Sequence, residues 1–252
     1  DMKRSYNFKH SRIIWKIVLL LIMYCNCVVV EVSAQYSIEN SFSDYSKYIS
    51  EVMDISWKRS KTFVWERSTV ILSQGKRGRG MGAVYSGMLQ SKDGNCLILY
   101  PNMNFMLVDN KEVPWKWTGD PVLPRNQMLD DLHCALKPGM DSDTISIVWE
   151  KYVTTYIGKD TPFNADTVFV SQIPLENLYQ GKYMYCTGIY ACKWGRPSMI
   201  FKCFFTEEGK MNEEKYLSKF YKAVKYRRND NWSYDNEKAQ MLQYELYLKS
   251  VR

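Results

Sequence analysis

The hydrophobic positions of the chain begin with one long apolar run and continue as shorter ones. The first run covers residues 13–30, in which Lys16 is the only charged residue. Basic residues precede the run, and the segment after it ends in Val32-Ser33-Ala34. A basic front, a short apolar middle and small residues at a cleavage point are typical of a secretory signal peptide. The sequence therefore predicts a signal peptide over residues 1–34 and a secreted, extracellular protein.

Two other structures are open for the same run. Between Lys16 and Glu31 there are 14 uncharged residues. As a helix they would span roughly 21 Å, less than the hydrocarbon core of about 30 Å. A membrane anchor over residues 13–30 would therefore need Lys16 to extend its ammonium group towards the interface. That alternative gives a single-pass membrane protein, and a buried core helix is the third interpretation.

Beyond residue 35, short apolar runs separated by turn sequences predict β-hairpins. The strongest signal is Asp93-Gly94 between two apolar runs, because this dipeptide favours a tight hairpin turn. In the segment 198–206 both alternating faces are largely apolar, which indicates a central or covered strand. The predicted hairpins join 83–90 to 96–100, 105–108 to 112–117 and 182–194 to 198–206, and further extended segments are predicted at 62–73, 144–157 and 167–173.

Helical periodicity is found mainly near the two ends of the chain. Apolar residues at helical spacing predict helices over 41–53 and 212–226, and a short helix over 127–136. The segment 234–251 fits a helix by composition and a strand by alternation. The predicted fold class is mainly β with flanking helices, an antiparallel barrel or sandwich built from hairpins. We expect one domain over 35–252, with 211–252 as a partly helical C-terminal extension.

Net charge changes this picture only slightly. The chain carries a formal charge of +7, and removal of residues 1–34 would leave +4. This charge is too small to predict specific nucleic-acid binding. Lys76, Arg77 and Arg79 stand among four glycines in the segment 75–82, where cations and backbone amides could bind an anion or a glycosaminoglycan. A solvated basic loop and a dibasic processing site are the alternatives.

A second basic feature lies on the predicted helix 212–226. Its lysines fall on the side opposite the apolar face, and Arg227 and Arg228 follow it. Such a face is most often simply solvated. Docking to an acidic membrane surface or an acidic partner is the alternative.

Five cysteines remain after residue 34, which is an odd number for an oxidising compartment. We expect a bond between Cys96 and Cys134 and one bond within the last hairpin, where Cys192 and Cys203 could face each other. A thiol would then be left over, and it could pair with another chain. The disulfide candidates are Cys96, Cys134, Cys186, Cys192 and Cys203.

Candidate catalytic chemistry is sparse. His133 is the only histidine after residue 34, and it could serve a cysteine nucleophile such as Cys186. The simpler interpretation is a loop histidine beside a disulfide cysteine. Acidic pairs, including Asp130-Asp131 and Glu207-Glu208, have turn-like neighbours and give no fixed pair across a cleft. We expect no catalytic residues, no metal and no cofactor.

These patterns favour a secreted, non-enzymatic binding module with an unknown protein or small-molecule ligand. Asn231-Trp232-Ser233 is an N-glycosylation sequon that would be used on passage through the secretory route. A self-assembling structural protein, and therefore a homo-oligomer, is one alternative. An accessory subunit of a membrane assembly, anchored by residues 13–30, is the other.

Overall fold

The computed structural model describes a large part of the predicted domain, and all of this part belongs to one compact unit, Glu39–Arg252. The described residues are 42–58, 60–66, 70–72, 83–101, 122–136, 148–194, 196, 198–229 and 231–250. The signal-peptide segment, the basic loop 75–82 and the predicted hairpin 105–117 lie outside the described residues.

Ten strands and six α-helices are found in these ranges. The strands are β1 (Ile55–Trp57), β2 (Phe63–Glu66), β3 (Val70–Leu72), β4 (Ala83–Ser91), β5 (Cys96–Pro101), β6 (Val153–Ile157), β7 (Thr167–Ile173), β8 (Tyr185–Cys192), β9 (Met199–Phe205) and β10 (Val224–Tyr226). The helices are α1 (Phe42–Val52), α2 (Val122–Leu136), α3 (Trp149–Tyr152), α4 (Glu207–Met211), α5 (Glu213–Ala223) and α6 (Asn236–Ser250).

The main sheet is antiparallel throughout, which confirms the predicted mainly β class with helices. Seven strands follow one another in the order β2-β4-β5-β9-β8-β7-β6, and β3 also pairs with β4. Strands β1 and β10 form a separate two-stranded sheet. Among the described strands, β6 pairs only with β7, so β6 forms one edge of the main sheet.

Two of the predicted hairpins are confirmed. Strands β4 and β5 meet around Gly94, whose positive φ of 73° is the conformation that glycine adopts without strain. Asp93 stabilises the turn by accepting hydrogen bonds from Ser91 Oγ at 2.6 Å and from the Asn95 amide at 3.1 Å. Tyr216 of α5 donates to the other carboxylate oxygen at 2.6 Å, so the turn is also tied to a helix.

Two predicted elements were wrong at their boundaries. Residues 149–152 of the predicted extended segment 144–157 form α3, and strand structure begins at Val153. The predicted helix 212–226 ends at Ala223, because Val224–Tyr226 pairs with Ile55–Trp57 as β10. Local periodicity cannot reveal the second outcome, since long-range backbone pairing overrides the helical pattern of residues 224–226. The ambiguous segment 234–251 contains helix α6.

Helices cover the sheet on both faces. Helix α2 packs across β7 and β8 on one face, here called the α2 face, where its Met128 and Leu132 are fully buried. Helices α1 and α5 cover the opposite face with aromatic contacts. Phe220 of α5 meets Phe201 edge-on at 4.9 Å between ring centroids, and Tyr45 of α1 lies 4.7 Å from Tyr100. The predicted central strand β9 is therefore buried on both faces, and this prediction is confirmed.

Candidate functional site

One row of paired residues crosses the α2 face of the sheet and creates room for polar groups. The row contains Val153, Ser171, Gly188, Lys202, Leu99 and Met88, one from each successive strand from β6 to β4. The row has no side chain at Gly188, and the Tyr190 ring fills the space above this glycine. A Cβ atom at Gly188 would lie 2.6 Å from Tyr190 Oη. The missing side chain thus lets the tyrosine hydroxyl reach Lys202.

Three side chains meet in this space and form what we call the buried cluster: Asp131 of α2, Tyr190 of β8 and Lys202 of β9. Lys202 Nζ donates to Asp131 Oδ2 and, at 2.6 Å, to Tyr190 Oη. Tyr190 Oη in turn donates to Asp131 Oδ2. Gln127, one helical turn before Asp131, donates from Nε2 to Asp131 Oδ1 at 3.2 Å.

The buried cluster is shielded from solvent. The side chain of Lys202 is 1% exposed and that of Asp131 is 3% exposed. Removing two charges from water costs several kcal/mol per ion, which only close pairing and further hydrogen bonds can offset. The cluster supplies both, and it therefore fixes the position of α2 on the sheet. Because a ligand from solvent cannot touch these groups in this arrangement, the cluster supports the fold rather than a recognition surface.

We expect Gly188→Ala to reduce the free energy of unfolding by about 1–3 kcal/mol, the usual cost of overpacking a core. The added methyl group would displace the Tyr190 hydroxyl from its two partners. Ser171→Ala, at the neighbouring position of the same row, is the control. Ser171 Oγ is buried without a hydrogen-bond partner in the described structure, so its removal should be neutral or stabilising. Urea denaturation measures both, and equal stability of the two variants would contradict the packing argument.

A second buried ion pair joins segments that are distant in sequence. Arg196, in the β8–β9 turn, binds Asp54 Oδ2 through Nε at 3.3 Å and through Nη2 at 3.2 Å. Its Nη2 also donates to the Asn229 carbonyl oxygen, and its guanidinium group lies 4.4 Å from the centroid of the Trp232 ring. The pair therefore holds the segment between α1 and β1, the β8–β9 turn and the chain after β10 together.

Among the described strands of the sheet, β6 has the most exposed apolar residue, Ile157. Its side away from β7, with which no other described strand pairs, is here called the β6 edge. Only Val153 of this strand is buried, and Thr154, Thr155, Tyr156 and Ile157 are exposed. Ile157 is 76% exposed, whereas its neighbour β7 is almost entirely buried. The strand contains no charge and no proline, which are the usual devices that protect an edge from pairing with another chain.

An exposed tryptophan lies at the same end of the sheet. Ile157 pairs with Thr167, Thr167 pairs with Cys192, and Trp194 follows two residues later. The Trp194 backbone amide donates to Asp166 Oδ2 at 2.7 Å, which fixes its backbone although its side chain is 70% exposed. Exposed aromatic residues of this kind are typical of binding hot spots. The β6 edge and Trp194 together form the candidate functional site.

The predicted anion-binding residues Lys76, Arg77 and Arg79 lie outside the described residues, so anion or glycosaminoglycan binding stays a prediction. On helix α5, by contrast, the basic face is present as predicted. Lys215, Lys219 and Lys222 are exposed, opposite the buried Tyr216, Leu217 and Phe220.

The five predicted disulfide candidates are all thiols in the structure, and no disulfide bond joins any two of them. Strand register explains why the pair in the last hairpin does not form. Cys203 stands opposite Thr187, whereas Cys192 stands opposite Thr167 on the other neighbouring strand. The prediction that Cys192 and Cys203 face each other was therefore wrong.

Burial also affects the thiol chemistry that was considered with His133. Burial raises the pKa of Cys186 to about 12, and it raises the pKa values of Cys96 and Cys203 well above their usual value. These thiols remain protonated at neutral pH and are poor nucleophiles. His133 lies half-buried on α2 beside Cys134, in a helix and not in the predicted loop.

The remaining predicted features have clear positions. Asn231 of the sequon is exposed between β10 and α6.

A pocket lined by aromatic residues of α1, β1, β2 and α5 has a cavity volume of about 10 Å³, the space of a single water molecule. This is far below the size of a small-molecule site. Among the described residues, no helix is both long and apolar enough to cross a bilayer.

The buried cluster is not among the sites predicted from the sequence, although one residue of it stands out. Lys202 is the only charged residue of an otherwise apolar strand, which indicates either an outer face or a buried partner. Asp130-Asp131 has turn-like neighbours in the sequence, whereas both residues lie in α2, which includes the predicted helix 127–136, and only Asp131 is buried.

No protein-family model, curated protein or solved structure matches this chain.

Proposed function

We propose that this protein is a non-enzymatic binding module that takes up an extended segment of a partner protein along the β6 edge. The observation that carries the proposal is the contrast within one strand pair. β7 is almost entirely buried, whereas β6 exposes four uncharged residues beside a backbone edge that pairs with no other described strand.

Strand addition fits the chemistry of this edge. Every second residue of an edge strand directs its amide and carbonyl groups outwards, so a partner strand gains main-chain hydrogen bonds. The exposed side chains of β6 are β-branched or aromatic and favour cross-strand pairs of the same kind. Trp194 follows β8, two strands in from β6, and offers a second exposed contact to parts of the partner outside the added strand. We therefore expect the partner segment to be extended, uncharged in its centre and rich in valine, isoleucine, threonine or tyrosine.

Secretion is part of the proposal and is supported by the sequence alone. The layout of residues 1–34 favours a signal peptide, and the exposed position of Asn231 suits a glycosylated surface loop. The single-pass membrane alternative, with residues 13–30 as the anchor of an accessory subunit, predicts the same binding edge.

The predicted barrel or sandwich stays a prediction, because the described strands do not form a closed barrel. The main sheet of the described strands has one edge at β6 and another at β2 and β3, and the second sheet consists of β1 and β10 alone. Closure into a barrel, or a second full sheet, would require strands outside the described residues. A further strand paired with β6 would cover the β6 edge. The accessibility of β6 therefore distinguishes an open sheet from a sheet that is closed at β6.

The proposal predicts that Thr155→Lys abolishes partner binding. A lysine at the centre of the edge opposes strand addition, because its long charged side chain interferes with an incoming strand. The probe is a phage-displayed library of random peptides selected on the immobilised protein. We expect enriched peptides with alternating β-branched and aromatic residues, and at least about a tenfold loss of affinity on Thr155→Lys, equivalent to about 1.4 kcal/mol.

The matched control is Met241→Lys, which adds the same charge at an exposed position of α6. It should leave the selected peptides bound. Trp194→Ala should weaken binding without changing the free energy of unfolding. Peptides that bind wild type and Thr155→Lys equally, or no enrichment at all, would contradict the proposal.

A second candidate function, self-assembly, is favoured by the near-palindromic pattern of β6. Antiparallel pairing of two copies around Thr155 would place Val153 opposite Ile157 and Thr154 opposite Tyr156. Each pair would consist of residues that favour cross-strand contact, within a two-fold symmetric interface. Sedimentation of wild type and Thr155→Lys separates the two functions. A dimer that Thr155→Lys dissolves supports self-assembly, and a wild-type monomer excludes it.

A further inference from the structure

We propose that Lys202 and Asp131 are joined by an amide bond between Lys202 Nζ and Asp131 Cγ, which the folded protein forms by itself. This proposal concerns the buried cluster and is independent of the function proposed for the β6 edge. An amine and a carboxyl group lie here in direct contact, in an almost water-free site, with a third group that touches both.

The reaction begins along the hydrogen bond between the two groups. One Nζ proton passes to Asp131 Oδ2, and Lys202 then has the free electron pair that a nucleophile needs. Met128, Leu132 and Phe204 belong to the same buried core as Tyr190, so the reacting groups are enclosed by apolar side chains.

The hydrogen bonds around the cluster have the direction that the reaction requires. The Nζ electron pair attacks Cγ, and a proton passes from Nζ to Tyr190 Oη while the Tyr190 proton passes to Asp131 Oδ2. The Cγ–Oδ2 bond then breaks and Oδ2 leaves as water, so the amide and one water molecule are the only products. Gln127 donates to Oδ1, where negative charge develops as Nζ attacks.

The bond would join two positions separated by 71 residues. It would fix α2 to the sheet permanently, in a protein whose five described cysteines form no disulfide with one another. Thiols do not reduce an amide, so this connection would hold equally in oxidising and reducing surroundings.

Mass spectrometry of the denatured wild-type protein tests the proposal. We expect an intact mass lower by one water molecule, once the N-terminus has been determined. Trypsin cannot cleave after a modified Lys202, and it cleaves poorly between lysine and proline at 137–138. Digestion should therefore yield one branched species that joins residues 126–151 to residues 194–210.

Two variants complete the test. Lys202→Arg retains the positive charge but has no nucleophilic amine, and it should show the full mass and migrate differently on a denaturing gel. Tyr190→Phe should slow the appearance of the branched species at least about tenfold if the hydroxyl relays the proton. Full intact mass in the wild type, with a free peptide ending at Lys202, would overturn the proposal. Equal rates in Tyr190→Phe and wild type would overturn the relay.

Discussion

Asp131→Ala should lower the free energy of unfolding by about 3–5 kcal/mol, the cost expected when a buried amine such as that of Lys202 is left without its acidic partner. The variant leaves the Lys202 amine with Tyr190 alone, in a site that is 1% exposed. Urea denaturation followed by tryptophan fluorescence measures the change.

The neighbouring residue provides a matched control. Asp130 precedes Asp131 on the same helix but is exposed. Asp130→Ala makes the same chemical change and should alter stability by less than about 0.5 kcal/mol, as is usual for surface positions. A similar loss in both variants would mean that helix propensity, and not the buried cluster, determines the effect.

A double variant separates two costs: the loss of the contact between Lys202 and Asp131, and the burial of one charged group without its partner. In Asp131→Leu combined with Lys202→Met, apolar side chains replace both charged groups. Such replacements are often neutral or stabilising relative to a broken pair. The double variant should therefore be more stable than either single substitution, and a double variant less stable than both would contradict this account of the cluster.

Arg196→Ala is the second change with a large expected effect, again a loss of about 3–5 kcal/mol. It leaves the carboxylate of Asp54 buried, with a side chain that is 4% exposed, and it removes the stacking contact with Trp232. Because Asp54, Arg196 and Asn229 belong to three distant segments, all three should loosen together. Denaturation measures the loss, and amide hydrogen exchange near residue 54 and after β10 should increase.

The controls for Arg196 separate its charge from its shape. Arg228→Ala, at an exposed position, should leave stability unchanged. Arg196→Lys keeps the charge but loses the planar group that binds Asp54 through two nitrogens and stacks on Trp232, so it should be intermediate. Wild-type stability of Arg196→Ala would show that the ion pair contributes nothing.

The sequence predicts those elements of the fold whose signals are local. Asp93-Gly94 marks the β4–β5 turn because glycine alone adopts the required positive φ without strain. The segment 167–173 was predicted as a strand and is β7 with the same bounds. The apolar character of both faces of 199–205 correctly indicated a central strand. In each case neighbouring residues contain the information.

The candidate sites could be predicted only in part, because their residues meet through tertiary structure. Lys202 stands out within its strand, but nothing local connects it with Asp131, 71 residues earlier. The open edge at β6 depends on the order of strands in the sheet, which hairpin patterns do not determine. The disulfide prediction for Cys192 and Cys203 failed because it assumed a register that places them opposite each other, whereas the observed register separates them.

The central claim, that β6 offers an open edge to a partner strand, is tested most directly by amide hydrogen exchange of the free protein. Every second amide of β6 should exchange much faster than the interior amides of β7, because no other described strand pairs with this edge. These fast amides should become protected when a peptide selected on the wild type is added. Protection of all β6 amides equal to that of β7 in the free protein would contradict the claim.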